Sequence, residues 1–210
     1  MVKSLRVVLA VVGAALAISA VAAFAAPAGA HVQGADAKKA GTWCGGTRWQ
    51  LMTLSDRGGS RFHWSSVPTS IPAISKMRAP SRFLASRSSS YERQVWGLTA
   101  VIERYRLASN GELVFELYDI PSGMYMNAYM PNPRCVASTA HGRSAMLSAR
   151  AAFTKACPKA TPAWQLLGAT AHLKGVGFWN PVKTTLGALG NGAELRPITN
   201  FVLAQGCGKY

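Results

Sequence analysis

The chain has 210 residues, with 23 Lys and Arg against 8 Asp and Glu, for a formal charge of +15. Its few, scattered acids build no His-Glu-x-x-His metal motif, and the cation excess favours anionic partners: nucleic acid, wall polymers or acidic lipid head groups. The same charge also serves solubility alone, so charge names a class of partner and nothing finer.

The first residues read as an export signal. Lys3 and Arg6 precede an apolar run from Val7 to Ala25, Pro27 breaks it, and Ala28-Gly29-Ala30 offers the small-x-small pattern that a signal peptidase accepts. An uncleaved anchor is the alternative, since the run approaches the roughly 20 residues that span a bilayer. Its Ala and Gly content makes it weakly hydrophobic, so cleavage is expected, with a secreted product and no stable membrane insertion. Loss of residues 1–30 removes two cations and no acid and lowers the formal charge to +13.

Residues 31–91 are expected to form an N-terminal extension, and residues 92–210 a barrel domain. Within the extension, 31–42 are small and polar and expected to be disordered. Residues 43–54 hold Trp43, Cys44 and Trp49 and are expected to be ordered. Residues 55–91 are rich in Ser, Pro, Gly and Arg, a composition that buries little apolar surface and reads as a solvated wrapping loop, or as a basic arm for a polymer.

From Val95 to Leu107 the pattern is that of a long strand. Trp96, Leu98, Ala100 and Ile102 fall on one side and Val95, Thr99, Val101 and Tyr105 on the other, and Gly97 is the expected bend. Ala108-Ser109-Asn110-Gly111 signals a turn. Leu113–Tyr118 and Met124–Met130 are the next strands, the latter with Met126, Ala128 and Met130 on one side and Tyr125, Asn127 and Tyr129 on the other. Residues 142–157 switch to helical spacing, with Met146, Ala149, Phe153 and Ala156 on one stripe and Pro158 as the stop. Strands follow at Leu166–Trp179 and Glu194–Leu203, separated by a Gly-rich loop. Three strands, a helix and two strands is the element order of an OB-fold. The expected fold is therefore mainly β with one helix: an OB-fold-like five-stranded barrel behind an N-terminal extension.

Cys44, Cys135, Cys157 and Cys207 make an even count, which in an oxidising compartment points to two disulfides with three pairings open. No Cys-x-x-Cys or Cys/His spacing suggests zinc, and no metal or other cofactor is expected.

Six short blocks carry a family resemblance. They are Glu92-Arg93-Gln94-Val95-Trp96, Tyr105-Arg106, Leu117-Tyr118-Asp119, Pro131-Asn132-Pro133-Arg134-Cys135, Gly175-Val176-Gly177-Phe178-Trp179 and Asn191-Gly192-Ala193-Glu194-Leu195-Arg196-Pro197. In order and spacing they resemble an uncharacterised family of exported bacterial proteins with an OB-like core, over roughly residues 43–200. The resemblance implies Cys44–Cys135 as the shared disulfide and Cys157–Cys207 as an additional one. It implies no reaction. Where the family usually has His-Gly-Gln after the fourth barrel strand, this chain has Lys183-Thr184-Thr185-Leu186-Gly187. The family's Glu-Leu-His-Pro is Glu194-Leu195-Arg196-Pro197 here. Both histidines are missing, which weakens an enzymatic reading.

No catalytic set emerges. There is no Gly-x-Ser-x-Gly elbow, His31 falls at the expected new N-terminus, His63 and His141 fall in predicted loops, and His172 falls in a strand as a packed or surface residue. Glu116 and Asp119 are odd-spaced and face opposite sides of their strand, while Asp119 and Glu194 are expected to partner arginines. OB barrels present ligands with the face of their second and third strands and the neighbouring loops. Here that face offers Tyr118, Tyr125, Asn127 and Tyr129, with Arg104 and Arg106 beside them and Trp179 and Lys183 near the later loop. Rings beside cations suit single-stranded nucleic acid or a cell-wall glycan. The expectation is a secreted, non-catalytic binding domain for an anionic polymer. The rivals are a structural or protein-interaction domain with that face covered, and a hydrolase or nuclease on an OB-like scaffold.

Overall fold

The computed structural model describes residues 44–45, 48–58, 62–182 and 184–207. The expected leader (1–30), the expected disordered start (31–42) and Lys183 lie outside the described residues. Among those described, the protein is mainly β, with one six-stranded sheet and few helices.

In chain order, α1 is Trp49–Met52, β1 His63–Pro68, α2 Ile71–Ser75, β2 Gln94–Leu107, β3 Leu113–Asp119, β4 Met124–Met130, α3 Arg143–Ala156, β5 Gln165–Trp179 and β6 Ala193–Gln205. The sheet order is β1-β2-β3-β4-β6-β5, and β5 also pairs with β2, so the pairings from β2 onward return to their start. Each neighbouring pair in that ring is antiparallel except β4 with β6, which meet in parallel through Ala128 and Leu195.

The alternation in each strand sends one set of side chains into a common core. Leu98, Ala100 and Ile102 of β2, Phe115 and Leu117 of β3, and Met126, Ala128 and Met130 of β4 meet Ala171 and Leu173 of β5 and Leu195 and Ile198 of β6. The expected bend at Gly97 is not where β2 is irregular. The shift lies between Ile102 and Arg104, and it turns Tyr105, placed by strict alternation on the other side, into the core. From α3, Phe153 closes the core, edge-on to Tyr105 at 5.4 Å, Phe115 at 4.9 Å and Phe201 at 5.6 Å. Met146 and Ala149 share its buried stripe, whereas Ala156 is exposed.

Residues 55–91 depart most from expectation. Ser70 caps α2 by accepting from the Ala73 amide at 3.3 Å, and Pro72 in its first turn pre-sets the backbone. Ile71 and Ile74 are then fully buried against the main core. The strand β1 pairs in parallel with the start of β2. Phe62 joins Leu54, Val95, Val136, Met146 and Val176 in a second cluster. The low average hydropathy of this stretch concealed a few apolar residues, each placed on a face the sheet leaves open. Cys44 bonds Cys135 and Cys157 bonds Cys207, the pairs that the resemblance implies. Two disulfides fit a protein of an oxidising compartment. No helix among the described residues is long and apolar enough to cross a membrane.

Candidate functional site

Residues that alternate with the core residues of β3, β4 and β6 point to the other face of the sheet. There Arg104 opposes Glu116, and Glu116 opposes Asn127. The pairing of Ala128 with Leu195 brings Asn127 beside Glu194, and Glu194 opposes Phe178. One row thus crosses five strands. The next holds Tyr129 and Arg196.

The expected ligand face divides into a covered and an open part. Asn127 is 0% exposed, Tyr129 6% and Trp179 1%, so none of the three is offered to a partner. The aromatic faces are already occupied by the protein's own guanidinium groups: Arg48 lies over Phe178 at 4.3 Å, and Arg196 over Tyr129 at 4.3 Å and Phe178 at 5.7 Å. Arg196 makes a forked, buried ion pair with Glu112, and Arg48 joins Glu92 at 2.5 Å. Trp179 packs on Tyr91 at 4.7 Å, its indole N–H donates to Ser89 Oγ at 2.9 Å, and its carbonyl accepts from Arg48. Arg48 and the stretch from Ser89 to Glu92 therefore cover this part of the face.

The loop after β5 covers the remainder. Asn180 Nδ2 donates to Glu194 Oε1 at 2.8 Å, and the Tyr129 hydroxyl donates to the same oxygen at 3.3 Å. Gly187, with φ near +78°, sits so close that a Cβ there would stand 2.8 Å from Glu116 Cγ and 3.0 Å from Asn127 Oδ1. Beneath the loop both amide atoms of Asn127 and one oxygen each of Glu116 and Glu194 are buried without a hydrogen-bond partner. Burial raises the carboxyl of Glu194 to about 7 against the pull of Arg196, and burial also raises that of Glu116.

The open part is smaller. Tyr118 and Tyr125 pair across β3 and β4 with ring centres 4.7 Å apart, both half-buried. Arg104 lies beside them, held by Glu116 at 3.5 Å and Glu103 at 3.7 Å. Arg106 is drawn away and stacks over Trp164 at 5.1 Å. His172 is an exposed strand residue bonded to Thr99 at 2.7 Å. Of the proposed set, the structure brings together Tyr118, Tyr125 and Arg104 as an accessible group.

Arginine partners also differ from expectation. Asp119 caps a turn by accepting from the Ser122 hydroxyl at 2.5 Å, and Glu194 is held by Asn180 and Tyr129. The acids that do pair with arginines are Glu92, Asp56, Glu112, Glu116 and Glu103. Glu194 and Arg196 stand two apart on one strand and share its outer face; that spacing was the one available hint of a polar cluster. Among the described residues no three His, Cys, Asp or Glu side chains gather as a metal set.

No family model matches the chain. No curated protein is significantly similar to it.

Folding sorts the charges. Five of the seven described acids (Asp56, Glu92, Glu112, Glu116 and Glu194) are buried, and none is fully exposed. Ten described Lys and Arg side chains, from Arg57 to Lys174, are exposed. The exposed part of the described residues is thus more cationic than their composition.

Proposed function

We propose that this chain is an exported, non-catalytic binding domain for an anionic polymer, built on an OB-like barrel. The observation that carries the reading is the sorting of charge: ten exposed cations stand against no exposed acid among the described residues. A surface of that kind holds polyanions by releasing their counterions, with affinity that falls as salt rises.

The barrel reading is supported by the pairing order. The first strand of the ring, β2, pairs with the second and the fourth, the third runs parallel to the fifth, and α3 lies between the third and fourth. The same order and the two disulfide pairs support kinship with the exported OB-like family, and the disulfides support export. The burial of Tyr129, Asn127 and Trp179 favours the rival reading in one respect: the full face of β3 and β4 is not the docking surface.

Titration of a labelled phosphate polymer at 50 and 300 mM salt tests the proposal. At least a tenfold loss of affinity is expected at the higher salt. Equal affinity at both, or no binding at 50 mM, overturns it and leaves the structural or protein-interaction domain.

A further inference from the structure

Away from the sheet face, residues 48–58, 85–93 and β1 enclose a cleft of about 850 Å³, lined by Gln50, Arg57, His63, Ser86 and Arg93 among others. Its one carboxylate among the described residues, Asp56, is held by Arg87 at 3.0 Å, and both are buried. The floor is thus a closed neutral pair. The walls are not neutral, because Arg57 and Arg93 are both exposed and neither has a carboxylate partner among the described residues. Arg93 is steadied by donating to the Arg87 carbonyl at 3.0 Å, which leaves the rest of its guanidinium free to grip an anion.

A smaller hollow of about 310 Å³ adjoins it and shares His63 and Arg93. Trp96 forms its far wall. The indole N–H of Trp96 donates to the Tyr91 carbonyl at 3.0 Å, so the ring is fixed in orientation before any ligand arrives. The volume is at the lower limit for small-molecule pockets, room for about one flat ring. Exposed guanidinium groups in one hollow and a fixed indole in the next match a ligand that alternates anionic groups with planar ones.

We infer that this double hollow is a binding site for single-stranded nucleic acid, with phosphates between Arg57 and Arg93 and one base stacked on Trp96. The inference rests on the anionic-polymer reading and moves the site from the β3–β4 face to the seam between the extension and β1.

The test uses the chain from residue 31 onward, a labelled twelve-residue oligothymidylate, an abasic strand of equal charge and a glycerol-phosphate polymer. Arg57→Gln with Arg93→Gln should weaken oligothymidylate binding at least tenfold and lower the salt slope by about 0.7 for each phosphate that is no longer neutralised. The charge-matched pair Lys155→Gln with Lys159→Gln, which lines neither hollow, should change affinity less than about twofold. Loss of one stacked base should make the abasic strand about tenfold weaker. Equal losses in the two double variants overturn the cleft while the anionic-polymer reading stands. Equal binding of all three probes overturns the base-stacking half and makes a bare phosphate polymer the partner. No binding of any probe by the unaltered chain overturns the broader reading itself. Should the double variant unfold, Arg57→Gln alone decides, since that side chain makes no hydrogen bond or ion pair among the described residues; a loss of about threefold or more is expected, and none refutes the site.

Discussion

Arg48 and Glu92 meet at 2.5 Å with both side chains out of solvent. Glu92 also accepts from the Ser88 amide at 2.9 Å and its hydroxyl at 3.1 Å, so the carboxylate is enclosed by donors. The pair pins α1 to the start of β2 and keeps Arg48 over Phe178. It is the latch of the layer that covers the sheet face.

Replacing Arg48 with Ala leaves Glu92 buried without its counter-charge. Breaking one side of a buried pair costs about 3–5 kcal/mol. The expected result is a matching drop in unfolding free energy in urea, with tryptophan emission shifted red as Trp179 is uncovered. An unchanged urea midpoint would show that the latch carries no weight.

Glu194 makes stability depend on pH in a stated direction. Its carboxyl is raised to about 7 in the folded chain from an ordinary 4.5, so between these values the native state holds more protons than the unfolded state. Stability therefore falls as pH rises through that window, by about 3 kcal/mol from this group, and Glu116 adds in the same direction. Glu194→Gln removes its share of the dependence and leaves that of Glu116. Urea midpoints at pH 5 and pH 8 should lie closer together in the variant than in the unaltered chain, which is the less stable at pH 8.

The Cys157–Cys207 disulfide closes a loop of sequence separation 50 and ties the end of α3 to the segment just after β6. In the chain-entropy account a closure of that length stabilises by about 4 kcal/mol. Cys157→Ser with Cys207→Ser should lower the melting temperature by many degrees without abolishing the β-type circular dichroism. Added reductant should then have little further effect beyond opening Cys44–Cys135.

Two strand glycines make a controlled comparison. A Cβ on Gly177 would stand 2.2 Å from the Tyr91 carbonyl oxygen, because the 3-10 turn Tyr91–Arg93 crosses β5 there. Backbone cannot yield as a side chain does, so Gly177→Ala should cost about 1–3 kcal/mol. At Gly97 the nearest atom is 3.7 Å away, and Gly97→Ala should be neutral or stabilising. Thermal melts of the two variants read the difference directly, and equal melts would refute the close approach at Gly177.

Much of the strand layout was legible because its signals are local. Met126, Ala128 and Met130 alternate with Tyr125, Asn127 and Tyr129, and it is the first set that enters the main core, as the period required. Asn110-Gly111 became a turn with Gly111 at φ +78°, and Pro158 follows the helix that ends at Ala156. The second strand face was not legible in the same way. Tyr125 and Tyr129 sit four residues apart on the same side of one strand, yet the first is half exposed and the second is under Arg196 and Glu194.

Periodicity and turn chemistry, read along the chain, determined the order of elements from β2 onward and the core side of most of those strands, and composition an even set of cysteines and a cationic balance. Tertiary structure alone decided which outer-face residues meet water. That choice depends on residues far apart in sequence: Arg48 reaching Glu92, Ile71 and Ile74 of the extension docking on the main core, and Gly187 closing over Asn127. Burial of a charge becomes tolerable only once such a distant partner arrives, and no local pattern records the arrival.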